Sequence, residues 1–282
     1  MINPFKFFIC TIFFVSIIFS QDEQPFAPLE LITAPTSGTL PKGSFTLEAL
    51  LMKDGGILPK LSVGISDNFY IGLSYGFQDF ISEKEPAVNK PMPEVQIKYR
   101  EYSETTSIPA IVIGLDTQGK GRYMKRENIS GFSDFQRYEQ KAWGIYIVAS
   151  KNWDLLGNLG LHVGLNKNTW ESDPYKTNDN ENIFKDKDLN LFLGIDKEIN
   201  RSFSFLLEYD AAINDYNPNI GYNLFGKGKG YLNAGIRWSI AKNMMIEIDF
   251  NDISKNYINN ELMDGEEEYS NRELKIIYFE KF

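Results

Sequence analysis

Of 282 residues, one is cysteine, Cys10, and one is histidine, His162. Cys10 sits in an apolar run from Phe7 to Phe19, so the chain beyond it is cysteine-free. That excludes a disulfide framework, a thiolate nucleophile and a cysteine metal centre. Positive charge is also in deficit: 29 Lys and Arg stand against 38 Asp and Glu, a formal net charge of -9, which argues against nucleic acid as a partner. After residue 20 no apolar run approaches the roughly 20 residues that a spanning helix needs. Disorder is equally disfavoured, because 43% of the residues are hydrophobic and 14% are aromatic.

The apolar run that does exist is short and N-terminal. Lys6 precedes it, Ser20 ends it and Gln21-Asp22-Glu23 follow, the pattern of a secretory signal peptide over residues 1–20. Residues 21–42 are Pro-rich ("PFAPLELITAPTSGTLPKG") and carry no long period, which reads as an extended lead-in that lies in the periplasm or inserts into a lumen.

From residue 43 to 282 the dominant signal is alternation. In "SVGISDNFYIGLSYGF" (Ser62–Phe77), Val63, Ile65, Phe69, Ile71, Leu73, Tyr75 and Phe77 fall on one face, with Ser62, Gly64, Tyr70, Gly72, Ser74 and Gly76 on the other. Period two over this length means antiparallel strands. Twelve such segments occur, near 44–52, 57–65, 69–77, 93–101, 108–116, 141–150, 159–166, 187–196, 202–210, 229–239, 244–252 and 271–282. Connections after the even-numbered strands are short; those after strands three, five, seven, nine and eleven are long and polar. An even-stranded outer-membrane barrel with both termini on one side requires that asymmetry, and a soluble sandwich does not. The expected fold is therefore an all-β, antiparallel transmembrane barrel of about twelve strands, with the bulky face toward lipid and the Gly/Ser face inside.

Aromatics support the same reading. Phe69, Tyr99, Phe203, Trp238 and Phe282 fall at the short-turn ends of their strands, and Phe77, Trp143, Tyr209 and Phe250 at the long-loop ends. Two girdles of this kind suit the two interfaces of a bilayer. The chain stops on a strand, "ELKIIYFEKF", whose terminal Phe282 is similar to the signal read by barrel-insertion machinery.

Candidate chemistry is sparse. His162 is expected to point into the lumen between Gly160 and Gly164; a hydrolase of the outer-membrane type would need a serine two residues on, and position 164 is glycine. "GKGKG" (Gly226–Gly230) precedes a strand rather than the helix that a phosphate loop requires. The Asn/Asp-rich run Glu171–Asp188 lacks calcium-loop spacing. No catalytic residue, cofactor or metal is expected, and the chain reads as a non-enzyme. The candidate working surface is the inward face: Arg237, Glu208, Asp210, Glu247, Asp249, Asn233, His162, Lys98 and Arg100. Charges of both signs there either line a wet pore or pair into a network that closes it, and Arg237 is expected among the carboxylates of Glu208, Asp210, Glu247 and Asp249.

Several stretches resemble a family of bacterial outer-membrane barrels related to YjbH and tied to exopolysaccharide production. They are "APTSGTLPKGSF" (Ala34–Phe45), "GGILPKLSVGISDNFYIGLSYG" (Gly55–Gly76), "IGLDTQG" (Ile113–Gly119), "VASKNW" (Val148–Trp153), "LLEYD" (Leu206–Asp210) and "GYLNAGIRW" (Gly230–Trp238). The resemblance implies an outer-membrane barrel supporting envelope or exopolysaccharide traffic, with outer-membrane lipid, the insertion machinery and polysaccharide or an envelope export complex as partners. A small diffusion porin, a membrane-embedded lipid hydrolase and a structural anchor are the alternatives.

Overall fold

A computed structural model of the chain describes residues 26–82, 87–88, 90, 92–128, 133–173, 188–215, 228–257 and 272–282. The expected signal peptide lies outside the described residues, as do parts of the 171–188 run and of "GKGKG".

Twelve antiparallel strands close on themselves: β1 (Ser44–Leu51), β2 (Ile57–Ser66), β3 (Phe69–Ser74), β4 (Glu94–Tyr102), β5 (Ala110–Asp116), β6 (Gly144–Asp154), β7 (Asn158–Lys167), β8 (Asn190–Asn200), β9 (Phe203–Asp210), β10 (Tyr231–Ala241), β11 (Met244–Phe250) and β12 (Arg272–Lys281). Each strand pairs with its sequence neighbour, and β1 pairs with β12 from Ser44↔Lys281 to Leu51↔Leu274, so the twelve-strand wall has no free edge. Closure matters because an unpaired strand edge in hydrocarbon would leave its N–H and C=O groups without partners. Among the described residues the only helical turns are Lys53–Gly55 and Ile213–Asp215.

The alternation resolves as expected. Ile65 and Ile145 are 51% and 53% exposed, whereas Ser62 and Ser74 are 1% and 3% exposed. Ile113, Leu161, Val163, Ile236 and Ile248 continue the outward apolar band. So continuous a band would be an aggregation hazard in water, and is what lipid solvates. Ile113 faces out while Val112 faces in, and Ile147 faces out while Val148 faces in, which sets the register of the two segments that are apolar on both faces.

Two features depart from the sequence reading. Trp143 is not a girdle residue: it is buried with Ala34, Val112, Tyr146, Val148 and Phe192. The cause is Gly144, whose φ of 71° breaks the strand alternation and turns the preceding side chain inward. The long connection after β5 is not merely a solvated loop either, because Lys120–Arg126 and Phe135–Gln140 form a hairpin of their own.

Candidate functional site

A twelve-stranded wall encloses more space than its own side chains fill, and here the chain supplies the filling. Residues 26–42 enter the lumen from the short-turn end, where the Phe26 ring lies 5.0 Å from that of Phe279. The segment turns at Leu31–Ala34, closed by the Leu31 amide donating to the Ala34 carbonyl at 2.9 Å and by a bridge between Glu30 and Pro35. It then returns to the wall, where the Gly43 amide donates to Gly64 at 3.0 Å. Pro28, Pro35 and Pro41 suit such a segment: they hold extended backbone and remove N–H donors that a buried, unladdered chain would have to satisfy.

The tip is seated by apolar contact and by charge. Leu31 and Ile32 are buried against Leu206, and Gly194 makes room, since a Cβ there would stand 2.1 Å from Leu31 Cδ1. The Gly/Ser face of the strands is thus the socket of this plug. Around the tip, Glu208 accepts hydrogen bonds from three consecutive plug amides, Ile32 at 3.1 Å, Thr33 at 3.0 Å and Ala34 at 2.8 Å, and from Thr33 Oγ1 at 2.6 Å. Asn233 Nδ2 donates to the same carboxylate at 2.7 Å. Successive amides aimed at one anion form a concave nest, in this case built by the plug around a wall residue.

Cations of the wall clasp the plug's carbonyls and its one carboxylate, the half-buried Glu30. Arg237 Nη2 donates to the carbonyls of Glu30 at 3.0 Å and Leu31 at 3.1 Å, while its Nε donates to Glu247 Oε2 at 2.5 Å. Lys275 bridges Glu30 Oε1 (3.1 Å), the Ile32 carbonyl (3.0 Å) and Glu247 Oε1 (2.8 Å). Lys60 pairs with Glu30 Oε2 at 2.9 Å, and Lys98 donates to the carbonyls of Leu29 and Thr36. Trp143 Nε1 donates to the Thr33 carbonyl at 2.8 Å.

Of the nine inward candidates, Glu208, Arg237 and Lys98 touch the plug, and Glu247 and Asn233 support them. Asp210 does not join the Arg237 group; it accepts from Asn190 Nδ2 (2.6 Å) and the Ala212 amide (2.9 Å). Arg100 lies at the short-turn mouth, donating to the Asp67 carbonyl at 2.7 Å. Of the four carboxylates expected around Arg237, Glu247 makes the salt bridge and Glu208 binds the plug. Asp249 is buried with no hydrogen-bond partner among the described residues. Sequence reasoning missed Glu30 and Thr33, which lie in a segment without period.

His162 has the serine that position 164 denies it. Ser150 sits directly opposite on β6, with its Oγ 2.7 Å from His162 Nδ1, and Asp196 Oδ1 lies 2.7 Å from Nε2. If Nε2–H donates to Asp196, Nδ1 is free to accept a hydrogen bond from the Ser150 hydroxyl. An open trio of this kind would pair a nucleophile with a base and an orienting acid. Here Ser150 Oγ accepts the plug amide of Ser37 at 2.9 Å and the three side chains are 2–6% exposed, so they form a latch beneath the plug.

The long-loop end is closed by a second polar cluster. The hairpin's Arg137, fully buried, donates to Asp173 and, at 2.5 Å, to Asp215, while Lys141 reaches Asp173 at 2.7 Å and the Tyr231 hydroxyl donates to Asp215 at 2.7 Å. Burial opposes the Arg137 charge, yet Asp173 and Asp215 outweigh it and hold the guanidinium well above its ordinary value. Glu171 accepts the backbone amides of Tyr138 (2.6 Å) and Ala142 (2.7 Å), and burial pushes its carboxyl up to about 7. Between plug and hairpin remains a cavity of about 90 Å³, lined among others by Lys60, Asp116, Trp143, Asn190, Asp210 and Tyr231.

No family model and no curated protein sequence matches the chain. Among solved structures it is similar to the KdgM porin, at 11% identity over 85% of this chain and 99% of that one with a TM-score of 0.43. It is similar also to the NanC porin, at 11% identity over 84% and 99% with a TM-score of 0.44, and to the outer membrane channel DcaP of Acinetobacter baumannii, at 8% over 85% and 95% with a TM-score of 0.31. At these levels no residue role is carried across.

Proposed function

We propose that the chain is a non-enzymatic outer-membrane barrel, self-plugged in this conformation, whose lumen serves envelope or exopolysaccharide traffic when residues 29–40 withdraw. The observation that carries the reading is the nature of the seal. A lumen meant to stay filled is closed as well by apolar side chains, because replacing buried ion pairs with hydrophobic residues is often neutral or stabilising. This lumen is instead closed by a segment that packs Leu31 and Ile32 on Leu206 but offers its carbonyls, amides and the Glu30 carboxylate to a charged wall. Once the plug leaves, Glu208, Arg237, Lys275 and Lys98 can exchange its carbonyls and amides for water, so the emptied wall stays wettable. Trp143 and Tyr231 beside Asn190, Asp116 and Asp210 offer the mixture of aromatic faces, amides and carboxylates that hydroxyl-rich guests engage.

A permanently open diffusion porin fits less well, because the plug occupies the lumen from Leu29 to Leu40. Planar-bilayer recording of a variant lacking residues 29–40 tests the substrate class: added oligosaccharides should interrupt its current at millimolar concentration. An unplugged barrel that conducts salt with no response to any oligosaccharide would leave a channel without the saccharide role.

A further inference from the structure

The cavity of about 90 Å³ between plug and hairpin has a particular pattern of engaged and open groups. The lysines that line it are paired: Lys60 with Glu30 at 2.9 Å, Lys120 with Glu273 at 2.5 Å and Lys141 with Asp173 at 2.7 Å. The amides of Asn166 and Asn190 are spent as well. Asn190 donates to Asn166 at 3.0 Å and to Asp210 at 2.6 Å, and accepts from the Ile213 amide at 2.9 Å. Asn166 donates to the Trp143 carbonyl at 2.8 Å.

Two half-buried carboxylates of the lining are only half engaged. Asp210, the last residue of β9, accepts from Asn190 and from the Ala212 amide through Oδ1 alone. Asp116, the last residue of β5, accepts from Gln96 Nε2 at 3.1 Å and from the Gln118 amide at 2.8 Å, again through Oδ1 alone. Among the described residues, Oδ2 of each has no hydrogen-bond partner. Aromatic residues stand beside both: Asp116 lies opposite Gly144, next to Trp143, and Asp210 lies opposite Tyr231. Their electrostatic surroundings differ. Lys60 acts on Asp116, whereas the charged groups acting most strongly on Asp210 are Asp215 and Glu208, both acidic. Those two have donors of their own in Arg137, Tyr231 and the plug amides. Asp210 is thus the carboxylate here without a cation.

We propose that this cavity takes one unit of an amine-bearing saccharide, a hexosamine, with its ammonium on Asp210, its hydroxyls on Asp116 and its ring against Trp143. The inference rests on the saccharide reading above and narrows it. A carboxylate withdrawn from bulk water gains most from a cation that also donates hydrogen bonds, and an indole face adds to the attraction for an ammonium. At roughly 10–15 Å³ for each water the cavity has room for about six, a space of the order of one sugar ring. An acidic sugar is disfavoured, because each lysine of the lining already holds a carboxylate.

The test is equilibrium dialysis of the full-length barrel, folded in detergent, with radiolabelled glucosamine at about pH 7, where an amine of ordinary basicity is largely protonated. The cavity exists with the plug seated, so no withdrawal is needed. Glucosamine should occupy one site at millimolar concentration. Glucose, N-acetylglucosamine, glucuronate and ethylamine should each displace it at least tenfold less well. Asp210→Asn keeps Oδ1 as acceptor for Asn190 and Ala212 and alters only the open atom; it should weaken glucosamine at least tenfold, to the level of glucose. Asp116→Asn should weaken both sugars severalfold. If a variant does not assemble, the sugar series on the unaltered protein decides. No saturable uptake, glucose binding as well as glucosamine, or a preference for glucuronate would overturn the site. Ethylamine binding as tightly as glucosamine would reduce it to a cation site and overturn the saccharide assignment. Dialysis makes no use of conductance: failure here, with oligosaccharides still interrupting the current of the barrel lacking residues 29–40, would remove the amine preference and leave the transport reading intact.

Discussion

Glu208 is the residue on which the seal depends most directly. Removing its carboxylate leaves the amides of Ile32, Thr33 and Ala34 buried without an acceptor, at a cost of about 1–3 kcal/mol each. A reporter cysteine is available because Ala34 is almost fully buried and the chain after residue 10 has no cysteine. Ala34→Cys should resist an impermeant maleimide in the otherwise unaltered barrel. With Glu208→Ala it should label at least tenfold faster, the factor that 1.4 kcal/mol represents, while heat-modifiable migration on gels is retained. Gly194→Val should act similarly by occupying the place of Leu31 Cδ1; an unreactive Ala34→Cys in both backgrounds would mean that the tip is not held by these contacts. The inward positions of Glu208, Arg237 and Asn233 were legible in the sequence because period two assigns faces without knowledge of partners. Their partners were not, since the plug amides lie more than 170 residues away in sequence. Ser150 is not legible for a related reason: a sequence offset points along β7, whereas the ladder brings the hydroxyl from β6.

At the scale of elements, the strands and their alternating short and long connections were readable because a wall between lipid and lumen writes its two faces into every strand. The plug and the 120–140 hairpin were not. The plug's backbone is satisfied by wall side chains rather than by a ladder, so no period marks it. The hairpin buries Arg137 beside Tyr138 and Glu139, which are buried as well, so no strict alternation marks its inward face. The orientation expected from the connections can be checked with cysteines at Leu156, 94% exposed on a short turn, and at Lys125 on the hairpin. Lys125→Cys should label from outside intact cells and Leu156→Cys should not; the reverse would invert the barrel. The hairpin also carries a pH dependence. Glu171, at about 7, is raised above its usual value, so the docked state binds more protons than the released one between roughly pH 4.5 and 7. Docking therefore weakens as pH rises through that window and is weakest above it. Hydrogen exchange of the hairpin amides should accelerate from pH 5 to 7 beyond the intrinsic rate, and Glu171→Gln should flatten the trend; an unchanged slope would remove Glu171 as its source.

For the whole molecule, closure of the wall and occupation of the lumen are separable. The twelve strands pair without any contribution from residues 26–42, which hold no place in the ladder. The apolar outward band likewise owes nothing to the plug. Removal of residues 29–40 should thus leave an assembled barrel with an open lumen, constricted among the described residues where the Arg137 cluster holds the hairpin. Single-channel recording in planar bilayers compares the two directly. Full-length protein should show a closed baseline with rare brief openings, and the variant lacking residues 29–40 should show a sustained ohmic conductance at the same voltage and salt. Equal, sustained conductance in both would contradict the account, because the segment between Leu29 and Leu40 would then not be what closes the lumen.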